Sequence, residues 1–145
     1  MKLLQAQYPQ YSEAIKMYDE YWYKMLKCEF PESIALLKEL KSLGYGIYGL
    51  TNWSAEKIGY AFSNYDFFGL FDGIVVSGDE KVAKPDPKIY RILLERYGLV
   101  PGECVFLDDN ADNVKAAETL GINAIRFDNI ENVKQNLAKL LGRTL

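Results

Sequence analysis

Apolar positions at Tyr11, Ile15, Tyr18, Trp22 and Leu26 recur at spacings of three and four, which predicts a helix from Tyr11 to Lys27 with one apolar face. Phe30-Pro31 breaks it, and a second helix is expected from about Glu32 to Leu43, with Pro31 near its first turn and Gly44 as its stop. The pattern then shortens. Tyr45 to Thr51 reads as a strand, and Ser54 to Ser63 as a helix capped by Ser54. Ile74 to Val76 reads as a short strand, and Pro87 to Tyr97 as a helix ended by Gly98. Cys104 to Leu107 is a strand, Asn110 to Leu120 a helix ended by Gly121, Ala124 to Phe127 a strand, and Ile130 to Leu141 a closing helix. Strand and helix alternate four times with no internal repeat, so the fold class is α/β: a parallel sheet with helices on both faces.

Two features of the pattern need weighing. The aromatic density at Tyr18, Tyr21, Trp22 and Tyr23 suits a substrate lid, yet such a stripe is more often packing. Gly44-Tyr45-Gly46-Ile47-Tyr48-Gly49 matches the dinucleotide fingerprint G-x-G-x-x-G letter for letter. That motif works after a strand and at the start of a helix, whose amides hold the pyrophosphate. Here it follows a helix and runs into a strand, so the nucleotide reading is set aside.

Composition narrows the function classes. A chain of 145 residues suits one folding unit, burying roughly 68–70% of its unfolded surface. A net charge of −3 gives no electrostatic case for nucleic acid or for an anionic membrane. Two cysteines, Cys28 and Cys104, make no disulfide framework, and a reducing cytoplasm is the expected compartment. The opening residues lack the apolar core of a signal peptide, and no run approaches a membrane span of ~20 residues. Histidine is absent, which removes Ser-His-Asp and Cys-His catalysis and the usual histidine metal sites.

The candidate chemistry follows the strands. Cys104-Val105-Phe106-Leu107 runs straight into Asp108-Asp109, which places two acids at a strand's carboxyl end, where open α/β sheets bind ligands. Unit charges ~4 Å apart repel by about 4 kcal/mol at an effective dielectric of 20. The pair is at ease with a cation, and hard oxygen ligands favour Mg²⁺; the plainer reading is an acidic helix start capped by Asp109 or Asn110. Thr51-Asn52 ends the first strand, where a hydroxyl and successive amides suit a phosphate oxygen, although an ordinary N-cap region looks the same. Lys84-Pro85-Asp86-Pro87 lies beyond the second strand. Its prolines fix the backbone around a lysine able to neutralise a transferring phosphoryl group, the alternative being a surface lysine before a helix.

Thr-Asn, then Lys-Pro-Asp-Pro, then Phe106-Leu107-Asp108-Asp109-Asn110-Ala111-Asp112-Asn113 with Ala116-Ala117 and Leu120-Gly121-Ile122 after it, together resemble the haloacid dehalogenase-like (HAD) superfamily. The order is that of the family's second, third and fourth motifs, in its capped phosphatase-like branch. The resemblance implies a HAD-like Rossmannoid three-layer α/β/α core over residues 31–145. Residues 1–30 would be a remnant of the helical cap and its linker. It also implies Mg²⁺-dependent hydrolysis of small phosphate monoesters, on a small phosphorylated metabolite, through an aspartyl-phosphate. Thr51 and the Asn52 amide would bind phosphate oxygens, and Lys84 would offset charge on nucleophile and phosphate. Asp109, with Asp108 directly or through water, would hold Mg²⁺, and Asn113 would steady Lys84 or the phosphate. The intact acid pair favours a metal-dependent phosphatase over the family's metal-free dehalogenases.

One motif is missing. The family's first, an apolar strand running into Asp-x-Asp, has no counterpart: no two aspartates here are separated by one residue, and Asp72 precedes its strand instead of following it. By resemblance the absent strand is the central one, between the Tyr45 and Cys104 strands. If about three amides and three carbonyls face the gap on each edge, at ~1–3 kcal/mol apiece, the cost reaches on the order of 10–30 kcal/mol. That exceeds the ~5–15 kcal/mol stability of a typical domain. Three outcomes are expected: a start lying further upstream, a gap filled by another chain through a homodimer or strand exchange, or direct closure of the two inner strands into a four-stranded sheet. In each, the chain as given lacks its own nucleophile and is expected to be inactive by itself. Two alternatives stand beside this: a non-catalytic module binding Mg²⁺, phosphate or a partner protein, and, less favoured, a receiver-type phosphoacceptor domain.

Overall fold

Every strand pairs in parallel, and every crossover is helical. The computed structural model describes residues 2–145, which divide into two compact units, one ending at Phe30 and the other Pro31–Leu145. In the first, helix α1 (Lys2–Gln7) leads through a 3-10 turn at Pro9–Tyr11 into α2 (Ser12–Tyr21), which gives way to a second 3-10 turn at Trp22–Met25. The single helix expected over Tyr11–Lys27 is thus shorter, and α1 had no signal in the pattern. Of the aromatic stripe, Tyr18 and Tyr21 are exposed while Trp22 and Tyr23 are half-buried. Among the described residues of this unit none is buried, and Tyr11 and Tyr18 are exposed. Some thirty residues cannot enclose a core by themselves.

The second unit begins with α3 (Pro31–Ser42), stopped by Gly44 at φ +87°. Strand β1 (Tyr48–Thr51) starts later than expected, because Ile47 donates its amide to the Asp72 carboxylate and accepts from the Asp72 amide. Asp72 also pairs with Lys41, and that lysine, followed by the Ile47 amide, holds its carboxyl below the usual range. Helix α4 (Ala55–Asn64) follows, then a 3-10 turn over Asp66–Leu70 and β2 (Gly73–Val76). Ser54 occupies the α4 N-cap position, but its side chain does not cap, against expectation. The short α5 (Ser77–Glu80) was also unforeseen.

Helix α6 (Pro87–Tyr97) is capped by Asp86, whose carboxylate accepts from the Lys88 amide, and ends at Gly98 with φ +62°. Strand β3 (Val105–Asp108), α7 (Ala111–Thr119), β4 (Asn123–Arg126) and α8 (Ile130–Leu141) complete the chain. Asn110 caps α7 through the amides of Asp112 and Asn113. No helix among the described residues is long and apolar enough to cross a membrane.

The sheet is split. β1 pairs with β2 in register Thr51↔Val76, β3 pairs with β4 in register Asp108↔Arg126, and β1 and β3 do not pair with each other. Direct closure into one four-stranded sheet, one of the three expected outcomes, is therefore not what forms. Two helical layers nevertheless span both halves. On one face Leu36 and Leu40 of α3 and Val133 and Leu137 of α8 pack with Ile47, Val105, Leu107 and Ile125. On the other, Ile89 and Tyr90 of α6 and Ala117 of α7 pack with Leu50, Val75, Phe106 and Ala124. The alternation of Val105, Phe106 and Leu107 between the layers is the period of two of an extended strand. This is a three-layer α/β/α Rossmannoid arrangement with an interval in the middle of its sheet. Gly44–Gly49 runs from a helix stop into a strand, so no helix N-terminus stands behind it.

Candidate functional site

A continuous run of hydrogen bonds joins the carboxyl ends of the two sheets. Asn52, just past β1, clasps the main chain of Lys84 on both sides: its Nδ2 donates to the Lys84 carbonyl at 2.9 Å and its Oδ1 accepts from the Lys84 amide at 2.8 Å. The Lys84–Pro85 peptide is cis. From this clasp the Lys84 Nζ reaches Asp108 Oδ2 at 2.7 Å, so residues of both halves meet in one ion pair. The other carboxylate oxygen of Asp108 accepts from Asn113 Nδ2 at 3.0 Å and from the Asn110 amide at 2.9 Å. Tyr90, fully buried, donates its hydroxyl to the Asn113 carbonyl at 2.9 Å and lies edge-on to Phe106, over whose ring the Lys84 ammonium sits at 5.5 Å.

Burial sets the electrostatics. The side chains of Lys84 and Asp108 are 11% and 7% exposed. Burial by itself pushes the Asp108 carboxyl up. Lys84, then Asn113 and the Asn110 amide, outweigh it and hold the carboxyl below the usual range. Burial first, and the Asp108 charge second, push the Tyr90 hydroxyl up to about 12, so it acts as a neutral donor. Burial also pushes the Cys104 thiol up.

Of the six residues singled out in the sequence, four belong to this connected run and two adjoin it in the chain. Asn52, Lys84, Asp108 and Asn113 are bonded to one another; Thr51 ends β1 immediately before Asn52; Asp109 is exposed immediately after Asp108. Asn113 donates to Asp108 and not to Lys84, so its partner differs from the expected one. Three contributors were missed. Tyr90 lies in the first turn of α6, three residues beyond Pro87, and was given no role. Arg126 sits opposite Asp108 in the β3–β4 register, and its Nε donates to the Asp109 carbonyl at 3.2 Å. Gly78 lets the chain after β2 reach the loop after β1: its amide donates to the Trp53 carbonyl at 2.9 Å, and a Cβ there would come within 2.2 Å of the Ala55 nitrogen.

The oxygen donors at this rim suit a hard divalent cation. Mg²⁺ keeps several waters and needs only one or two carboxylates together with substrate phosphate, and Asp108 and Asp109 supply two. Among the described residues no group of three or more Asp, Glu, Cys or His side chains gathers as a fuller cage.

A parallel, helix-covered sheet with Thr-Asn, lysine and paired acids at its carboxyl end defines a known class. The haloacid dehalogenase-like hydrolase family model matches residues 3–121, and the chain belongs to that family. Among curated relatives it is 32% identical over 106 residues to (S)-2-haloacid dehalogenase 4A of Burkholderia cepacia, covering 73% of this chain and 46% of that one. It is 32% identical over 108 residues to a sesquiterpene phosphatase of Aspergillus oryzae, covering 74% and 55%. Among solved structures, a HAD family enzyme of Bacteroides thetaiotaomicron in complex with magnesium and inorganic phosphate is similar, with TM-score 0.61 and 28% identity over 67% of this chain and 52% of that one. The chain spans about half the length, or less, of the curated relatives it matches.

Proposed function

We propose that these residues form the phosphate- and metal-holding part of a Mg²⁺-dependent phosphatase acting on small phosphorylated metabolites in a reducing cytoplasm, and that the chain by itself does not turn over. The observation that carries this reading is the Asn52–Lys84–Asp108–Asn113 run, which fixes one cation and one carboxylate beside the exposed Asp109. Thr51 and the amide of Asn52 bind phosphate oxygens. The Lys84 ammonium neutralises charge on the phosphoryl group, and it is useful there because it is held and largely dry. Asp109, with Asp108, is placed to hold Mg²⁺, which when bound supplies further positive charge at the phosphate. Asn113 and the Asn110 amide keep Asp108 ionised and in place, and Tyr90 fixes Asn113.

No Asp-x-Asp occurs in the 145 residues, so the covalent step of such a phosphatase has no nucleophile among them. With p-nitrophenyl phosphate and Mg²⁺ the chain is expected to show no turnover, while calorimetric titration is expected to show Mg²⁺ binding that Asp109→Ala abolishes. Robust hydrolysis that is lost in Asp109→Ala would overturn the proposed inactivity. Mg²⁺ binding indifferent to Asp109→Ala would overturn the site. The relative named as a phosphatase and the structure holding magnesium and inorganic phosphate support the metal-dependent branch.

A further inference from the structure

We propose that Arg126 is a positioning residue for the cation site: its Nε clamps the peptide that follows Asp109 and so aims the Asp109 carboxylate. The clamp stands on geometry alone; the cation it serves rests on the phosphatase reading above. The two acids at the end of β3 are held in different ways. Both oxygens of the Asp108 carboxylate are bonded, one to Lys84 and the other to Asn113 and the Asn110 amide. Asp109 is exposed and is tied through its main chain, its carbonyl accepting from Arg126 Nε at 3.2 Å. The direction in which its carboxylate points is therefore set from the backbone.

One peptide group carries both ends of the clamp. The Asp109 carbonyl and the Asn110 amide belong to the same planar unit, in which C=O and N–H point in opposite directions. Arg126 takes the carbonyl end, and Asp108 Oδ1 takes the amide end at 2.9 Å. Rotation of this peptide breaks both bonds, so ψ of Asp109 is fixed. Asn110 is itself pinned, since its side chain accepts from the amides of Asp112 and Asn113 at the start of α7. Asp109 thus sits between two anchored residues, and Arg126 secures the junction from β4.

The register explains why residue 126 can do this. Arg126 stands opposite Asp108 in the parallel β3–β4 pairing, and neighbouring strands lie about 4.8 Å apart. Alternation puts it on the same side of β4 as Ala124, which packs in the layer of α6 and α7, and the loop into α7 begins at Asp109. The nearby Asp128 carboxylate accepts from the Asn129 amide and from Asn132 Nδ2. The guanidinium charge by itself repels a divalent cation, so the charge and the Nε donor act on Mg²⁺ binding in opposite directions. A charge on an outer strand also discourages edge pairing, a role that needs no bond to Asp109.

Calorimetric titration of Mg²⁺ into three variants of the chain separates donor from charge. Glutamine carries a nitrogen donor the same number of bonds from Cα as the arginine Nε, without the charge. Lysine keeps the charge but has a methylene at that place, and methionine has neither. Arg126→Gln is expected to bind Mg²⁺ at least as tightly as the parent. Arg126→Lys and Arg126→Met are expected to bind it about tenfold more weakly, as when the support of a metal ligand is removed. By NMR, the Asn110 amide is expected to exchange with solvent several-fold faster in the lysine and methionine variants and at the parent rate in Arg126→Gln. Tighter Mg²⁺ binding in both Arg126→Gln and Arg126→Met, or equal binding in all three variants, overturns the proposal. If the parent shows no Asp109-dependent Mg²⁺ binding while Asn110 exchange follows the donor, the cation reading falls and the clamp stands. If that binding persists and neither measurement distinguishes Arg126→Gln from Arg126→Met, the clamp falls and the metal site stands.

Discussion

Residues 2–30 and residues 31–145 draw on the same apolar vocabulary and use it differently. The first unit carries Tyr8, Tyr11, Met17, Tyr18, Tyr21, Met25 and Phe30 exposed, and none of its described residues is buried. The second buries Val75, Ile89, Tyr90, Ala117 and Val133 completely. Helical spacing of apolar residues is common to both, so periodicity alone does not confer a core; a second layer to close on does.

The largest expected effect that sharpens this contrast is at Ile89. Ile89→Ala should cost about 3–4 kcal/mol, as buried large-to-small changes do, read by urea unfolding. An Ile89→Ala cost below the noise would erase the difference between the units.

Next is the ion pair that joins the two sheets. Lys84→Met leaves the Asp108 carboxylate nearly buried without its cation and should cost about 3 kcal/mol. It also changes the pH dependence. In the parent chain Asp108 is depressed below its ordinary value of 3.8. The stability it confers is therefore fully present above that value and is lost as pH falls through the depressed one. In Lys84→Met burial meets less opposition, the carboxyl titrates higher, and acid unfolding should begin at a higher pH.

Gly78→Ala comes third. Its Cβ would lie 2.2 Å from the Ala55 nitrogen and 2.8 Å from the Trp53 carbonyl oxygen, and backbone on both sides must shift. A cost of about 2 kcal/mol is expected, measured as a fall in Tm. Smallest is Leu3→Ala, 87% exposed on α1, which should change stability by no more than about 0.5 kcal/mol; a larger loss in thermal unfolding would show that the first unit has an apolar core after all.

What the sequence disclosed depended on how local the cause was. The alternation of strand and helix, the ends of α6 at Pro87 and Gly98, and the span of α8 were all legible, because capping residues and periodicity act within a few positions. The resemblance pointed to the carboxyl ends of β1 and β3, the loop before α6 and the first turn of α7, where Asn52, Lys84, Asp108 and Asn113 are found bonded to one another. Side-chain partners were not legible. Asn113 turning to Asp108, Tyr90 reaching the Asn113 carbonyl, and Asn52 holding Lys84 all join residues more than three positions apart, and no spacing rule encodes them. The late start of β1 has a similar origin: Asp72, distant in sequence, takes the Ile47 amide. Direct closure of the inner strands failed for a different reason. The same helices pack on residues of both half-sheets while β1 and β3 remain unpaired, a tertiary arrangement that no local spacing encodes.

The two-point clasp of Asn52 on residue 84 is made entirely to main-chain atoms. Placement of that loop is thereby decoupled from the identity of the side chain it carries. A change of side chain at 84 that costs the ion pair leaves both main-chain bonds of the clasp available, whereas asparagine at 52 is hard to replace: aspartate lacks the donor and glutamine carries one more methylene.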